Sequence, residues 1–293
     1  MREQLVNWRR GGQDIRTWSV VFVSLLACGQ RSTGPAAPDR NGSQSIFSDD
    51  FESGTLQNWQ DGVDSARQQI VTDPASAQSG SRYLAVTYPQ GRDGGWLTRF
   101  FMPGYDAVNV SYYVRFPANW QGPTKLIALY GSRIDDQWSA LGKAGVCPNG
   151  TDFFSATLVT EPTGNPGPLR FYTYYPGMAR EPDGTTCYGR YGNGHGAERG
   201  VTLANYAPAL TLSRGAWHHI EFSVQVNTPG NSDGSQTFWV DGVQWGSWAG
   251  ISFRTSPNLR LNALQLSFST GASGVAQEQE LDVDNIVVRS GTR

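Results

Sequence analysis

The chain has 293 residues, of which 38% are hydrophobic and 12% aromatic but only 16% charged, against roughly 25% charged in an average soluble domain, which excludes a charge-driven disordered chain. Its formal net charge of -2 offers no electrostatic footprint for a polyanion, so no nucleic-acid partner is expected. No apolar run approaches the roughly 18 to 20 residues of a spanning helix, and 35 Gly and 16 Pro beside 10 Trp, 12 Tyr and 13 Phe describe short strands and turns, not a helical bundle.

Residues 1–27 read as an export signal: Arg2, Arg9, Arg10 and Arg16 precede an apolar stretch from Trp18 to Leu26. The sequence Leu25-Leu26-Ala27-Cys28 resembles a bacterial lipobox, which implies a diacylglyceryl group on Cys28. The alternative is an ordinary secretory signal with an incidental cysteine. The lipobox reading implies a lipid-anchored protein of the bacterial cell envelope, facing away from the cytoplasm, with the lipid as its sole membrane contact. Residues 28–45, rich in Ser, Gly, Pro and Ala, read as a flexible tether. Residues 46–293 are expected to form one β-domain.

Strand patterns recur along that domain at Tyr83–Tyr88, Val108–Phe116, Lys125–Tyr130, Phe153–Val159, Leu169–Tyr175, Trp217–Val226, Thr237–Val240, Leu259–Ser269 and Glu280–Val288. In Trp217–Val226, alternation puts His218, Ile220, Phe222, Val224 and Val226 on one face and His219 with Glu221 on the polar one. Leu264, Leu266 and Phe268 likewise point inward, leaving Gln265, Ser267 and Ser269 as a polar row suited to a sugar chain. Any half-solvated antiparallel sheet presents such a row as well. Asn227–Ser235 and Asp241-Gly242 are turn signals. Two long irregular stretches, Gly131–Gly150 and Gly177–Gly200, hold Cys147 and Cys187. In an exported chain two such cysteines are expected to form a disulfide, the alternative being two buried thiols. Neither lies in a C-x-x-C pair, so no cysteine-based metal site is expected.

Several segments together resemble the concanavalin-like jelly-roll families that include family 14 alginate lyases and family 20 glucuronan lyases. They are Phe47-Ser48-Asp49-Asp50-Phe51-Glu52 with Trp59, Gly215-Ala216-Trp217-His218-His219-Ile220-Glu221, Asn227-Thr228-Pro229-Gly230, Trp239-Val240-Asp241-Gly242 and Leu281–Val288, in the family order. The resemblance implies an all-β sandwich of two antiparallel sheets. It also implies β-elimination in a uronate-containing acidic polysaccharide, without a cofactor; a monomer is expected. By the same resemblance Lys125, ahead of Tyr130-Gly131, Ser155 and the pair Tyr172 and Tyr174 face the substrate groove. Where the family carries Ser-x-Arg, this chain has Ser155-Ala156-Thr157.

A uronate lyase must neutralise the sugar carboxylate, remove the proton at C5 and protonate the leaving oxygen at C4. A tyrosine base needs a cation to favour its phenolate, and Lys125 is expected to supply that field. Only Lys125 and Lys143 are lysine among the 23 Lys and Arg, so any chemical lysine is one of these. His195, in a Gly-rich loop, is a candidate neutraliser or base. Arg170, Arg190 and Arg199 are candidates to replace the missing arginine as carboxylate clamps. Gln265 and His219 are candidate sugar contacts, and Trp96, Trp138, Trp239 and Trp245 candidate stacking platforms. A structural calcium ion held by Asp49, Asp50, Asp282 and Asp284 is an open alternative if the terminal strands pair. Two further readings stand beside the lyase: a non-catalytic carbohydrate-binding surface lipoprotein, and a jelly-roll glycoside hydrolase using carboxylates of Glu280–Asp284.

Overall fold

The computed structural model describes residues 43–162, 164–189, 211–271 and 274–293. Among them there are thirteen strands and no helix. The opening segment of the family resemblance becomes β1 (Ser45–Asp49), and the nine patterned segments become β3 (Arg82–Tyr88), β5 (Ala107–Arg115), β6 (Lys125–Arg133), β7 (Phe154–Thr160), β8 (Leu169–Tyr174), β9 (Trp217–Gln225), β10 (Gly234–Val240), β12 (Leu259–Phe268) and β13 (Gln279–Ser290). Three more, β2 (Gln68–Thr72), β4 (Gly95–Tyr105) and β11 (Val243–Ile251), lack a clear sequence pattern.

The strands form two antiparallel sheets, as the all-β jelly-roll reading requires. The larger runs β11-β10-β9-β5-β13-β3-β2 with β1 on β13, and the smaller runs β4-β12-β6-β7-β8. Alternation decides which face is dry: Ile220, Phe222 and Val224 of β9 and Leu264, Leu266 and Phe268 of β12 are all buried. Between the sheets Phe171 of β8 meets Phe222, Phe238 and Trp248 edge-on at 6.1, 5.4 and 5.7 Å. Such offset aromatic contacts add to the burial term that holds the layers together. Asp241 (φ 50°) and Gly242 (φ 81°) make the two-residue hairpin turn between β10 and β11.

The terminal strands do pair, with Asp49 opposite Ile286, but the calcium site does not form. Asp49 accepts the Trp59 indole N–H at 2.9 Å and Asp282 pairs with Arg115 at 2.7 Å. Asp284 accepts backbone N–H groups of Gln78, Ser79 and Asn285, and Asp50 that of Glu52. Each acid is engaged locally, and among the described residues no group of three ligating side chains converges.

Candidate active site

The outer face of the smaller sheet carries the site, and strand register assembles it. Gln265 of β12 stands opposite Thr98 on one side and Ala128 on the other; Ala128 faces Thr157, and Thr157 faces Tyr172. The next row runs Phe100, Ala263, Tyr130, Ser155, Tyr174. Lys125 lies an odd number of residues before Tyr130, so regular alternation would turn it to the opposite face. A one-residue register shift in β6 between Lys125 and Ala128 cancels that inversion. Lys125 therefore joins Tyr130, Ser155, Thr157, Tyr172, Tyr174 and Gln265 in lining a cavity of about 240 Å³, and Lys143 lines it from the β6–β7 loop.

Within the cavity the Tyr172 and Tyr174 hydroxyls are 3.3 Å apart, and the Gly145 N–H donates to Tyr174 Oη at 3.3 Å. Gly145 sits at φ +81°, a left-handed conformation that suits glycine. Its carbonyl accepts the N–H of Cys187 at 3.1 Å, beside the expected Cys147–Cys187 disulfide. The loop over Tyr174 is thus stapled to the segment after β8. The Lys125 ammonium lies 5.1 Å from the Tyr172 ring centroid. Tyr130 donates to Gln265 Oε1 at 3.2 Å, and Gln265 Nε2 donates to Thr98 Oγ1 at 3.0 Å.

Burial dominates the electrostatics. It pushes the Tyr174 phenol well above its ordinary range, with the neighbouring Tyr172 adding to the effect and the Gly145 N–H opposing it. It raises Tyr130 to about 12 and lowers Lys125 from the usual lysine value. The sequence leads one to expect a lysine field that favours tyrosinate. In the folded chain desolvation moves both groups toward their neutral forms instead.

Of the expected site residues, Lys125, Ser155, Tyr172, Tyr174 and Gln265 come together. Arg170 lies on the same strand two residues before Tyr172 but not in the cavity wall. It forms an ion pair with Glu161 at 2.6 Å and lies 5.9 Å from the Tyr172 ring centroid. His219 is corrected: it lies on β9 in the larger sheet, stacked on Tyr113 at 4.8 Å and bonded to Ser111 Oγ at 2.7 Å. Its face is polar, as alternation requires, but it belongs to the sheet that does not carry the cavity. Cys28, Arg190, His195 and Arg199 lie outside the described residues. Trp96 and Trp138 stand exposed near the cavity, whereas Trp245 is buried and Trp239 lies under Arg293. Sequence reasoning did not single out Tyr130 or Lys143 as cavity residues. The scarcity of lysine was the available signal for Lys143.

Residues 76–280 match the family model described as polysaccharide lyase 14. In fold the chain is similar to a marine PL-14 alginate lyase from Aplysia kurodai, at 17% identity over 85% of this chain and 100% of that one, with a TM-score of 0.60. It is similar also to alginate lyase vAL-1 from Chlorella virus (15% identity, 85% and 100% coverage, TM-score 0.61). A third similar structure is the endo-β-1,4-glucuronan lyase from the fungus Trichoderma reesei (14%, 85% and 96%, TM-score 0.56). No curated protein matches the sequence. The family model spans the greater part of the sequence, including the strands that build the cavity, and the chain belongs to polysaccharide lyase family 14.

Proposed function

We propose that this uronate polysaccharide lyase works by β-elimination with Lys125 as base and Tyr174 as acid. Lys125, as the amine, takes the proton from C5; the electron pair forms the C4–C5 double bond; the C4–O bond breaks; and the departing oxygen takes the Tyr174 proton. The observation that carries this reading is the shared cavity in which burial lowers the lysine and raises the phenol. A lowered lysine reaches its neutral, basic form nearer the working pH. A raised phenol stays protonated until a developing alkoxide draws its proton. Tyr172 holds the Tyr174 hydroxyl, and Lys143, the second amino group in the wall, neutralises the sugar carboxylate where Thr157 leaves no cation.

The test is the formation of unsaturated, ultraviolet-absorbing sugar ends from alginate and from glucuronan. Lys125→Ala and Tyr174→Phe each lower kcat by about 10²-fold or more with binding retained; unchanged turnover in both removes the assigned roles. New reducing ends without unsaturation identify a hydrolase, and binding with neither identifies a lectin. We further propose that the chain acts as a monomer held outside the cytoplasm by a lipid on Cys28. The disulfide suits an oxidising compartment. Cys28→Ala then releases the protein from the membrane fraction, and an unchanged distribution rejects the anchor.

A further inference from the structure

We infer that the groove continues into a subsite for a neutral sugar, so that the preferred polymer carries neutral residues beside its uronates. This deepens the lyase reading and rests on it for the identity of the neighbouring residue. A second cavity of about 470 Å³ adjoins the catalytic one, sharing Trp96, Gly142 and Gln265 with it and adding Asp61, Trp138 and Leu141. One polysaccharide chain bound across Gln265 therefore enters both. The size falls in the ordinary range for small-ligand sites.

Its walls are two indoles that are exposed yet fixed. Trp96 and Trp138 are 46% and 50% exposed, values that call for a reason in large aromatic side chains. Trp96 Nε1 donates to Asp61 Oδ2 at 2.8 Å. The Trp138 ring packs edge-on against Phe100 at 4.8 Å, and its backbone N–H donates to Asp136 Oδ1 at 3.0 Å. Held rings offer flat apolar faces with little ordering entropy left to lose, which favours stacking against the C–H face of a pyranose. Charge then selects among pyranoses. The catalytic cavity sets two lysines, Lys125 and Lys143, against one carboxylate, Asp93, which is itself ion-paired with Arg67 at 3.3 Å, but among the described residues no Lys or Arg lines the second cavity, and its one charged group is Asp61. A uronate seated there would set carboxylate against carboxylate, whereas a neutral sugar keeps the stacking and meets no like charge.

The experiment has two arms. In the first, cellotriose, a neutral β-1,4 trisaccharide, is titrated calorimetrically into the protein. It binds the wild type, Trp138→Ala weakens it by about tenfold or more, and Trp138→Phe restores most of the affinity. In the second, unsaturated ends are followed on gellan, whose glucuronate is flanked by neutral sugars, and on glucuronan, a uronate homopolymer. The wild type has the higher kcat/KM on gellan, and Trp138→Ala cuts the gellan-to-glucuronan ratio by about tenfold. The inference is overturned if cellotriose fails to bind, if Trp138→Ala binds it as the wild type does, or if glucuronan is the better substrate. Cellotriose binding that depends on Trp138, with no unsaturated ends from any uronate polymer, sinks the lyase reading and leaves the subsite. Active lyase without cellotriose binding does the reverse.

Discussion

Tyr172 is crowded from two directions, by a cation and by a glycine. The Lys125 ammonium stands over its ring at 5.1 Å. A Cβ placed on Gly189 would come within 2.5 Å of Tyr172 Cδ1, so the ring has its present position only because residue 189 lacks a side chain. Gly189→Ala pushes the Tyr172 hydroxyl away from that of Tyr174, and we expect kcat to fall by about tenfold or more with KM less affected. Unchanged kcat in the folded variant would show that Tyr172 does not position the acid. The role of Lys125 separates by a second substitution. Arginine keeps the charge but cannot be deprotonated in a protein. If Lys125 acts as an amine, Lys125→Arg is as inactive as Lys125→Ala, and wild-type kcat/KM rises with pH through a pKa below the ordinary lysine value. If Lys125 supplies only a field, Lys125→Arg retains activity and that acid limb is missing.

At the scale of elements, the loop that carries Lys143 and Gly145 depends on its covalent staple. The Cys147–Cys187 bridge closes a 40-residue separation, for which chain entropy gives roughly 3–4 kcal/mol of stabilisation. Replacing both cysteines by serine should lower Tm by roughly 6–15 °C for a domain of this size. Activity measured well below the new Tm should fall as well, because the Gly145 N–H that meets Tyr174 is bonded through its own carbonyl to Cys187. A lower Tm with full kcat would mean that the staple serves stability alone. The pairing of these cysteines was legible in their number and in the expectation of an exported chain. The turning of Lys125 into the cavity was not, because a bulge in β6 reverses the alternation by which strand faces are read. Only the family resemblance supplied that placement. His219 failed for the complementary reason: period-two alternation gives the face of a strand, not the sheet to which the strand belongs.

For the whole molecule, the strands that sequence left unmarked share a position. β2 and β11 are the two edges of the larger sheet and β4 is an edge of the smaller one. An edge strand packs against fewer neighbours, so its pattern of buried residues is weaker: Val243, Gln244 and Ser247 of β11 are exposed and Gly246 and Gly250 interrupt it. Interior strands such as β13 carry the pattern at full strength and bury acids as well. Desolvation pushes Asp282 and Asp284 up to about 6, in Asp282 outweighing its ion pair with Arg115, and raises Asp49 too. An unfolded carboxyl titrates near 4. Between about pH 4 and 6 the folded chain therefore holds more protons than the unfolded one, and stability falls as pH rises through that window. Surface carboxyls oppose this at lower pH. Glu52 is held low by the Ser81 and Arg82 N–H groups, and Asp183 is held at about 2 chiefly by the Thr186 hydroxyl. Their contribution is present above about pH 4 and lost as pH falls through their folded pKa values. The two opposing sets put the stability maximum on the acid side of neutrality, and Tm at about pH 5 should exceed Tm at pH 7.5. Asp284→Asn cannot ionise, so it flattens the decline between these pH values even though it gives up acceptor capacity toward Gln78, Ser79 and Asn285. A wild-type Tm that climbs steadily from pH 5 to 7.5, or a slope unchanged in Asp284→Asn, would show that these buried acids do not set the acid-side optimum.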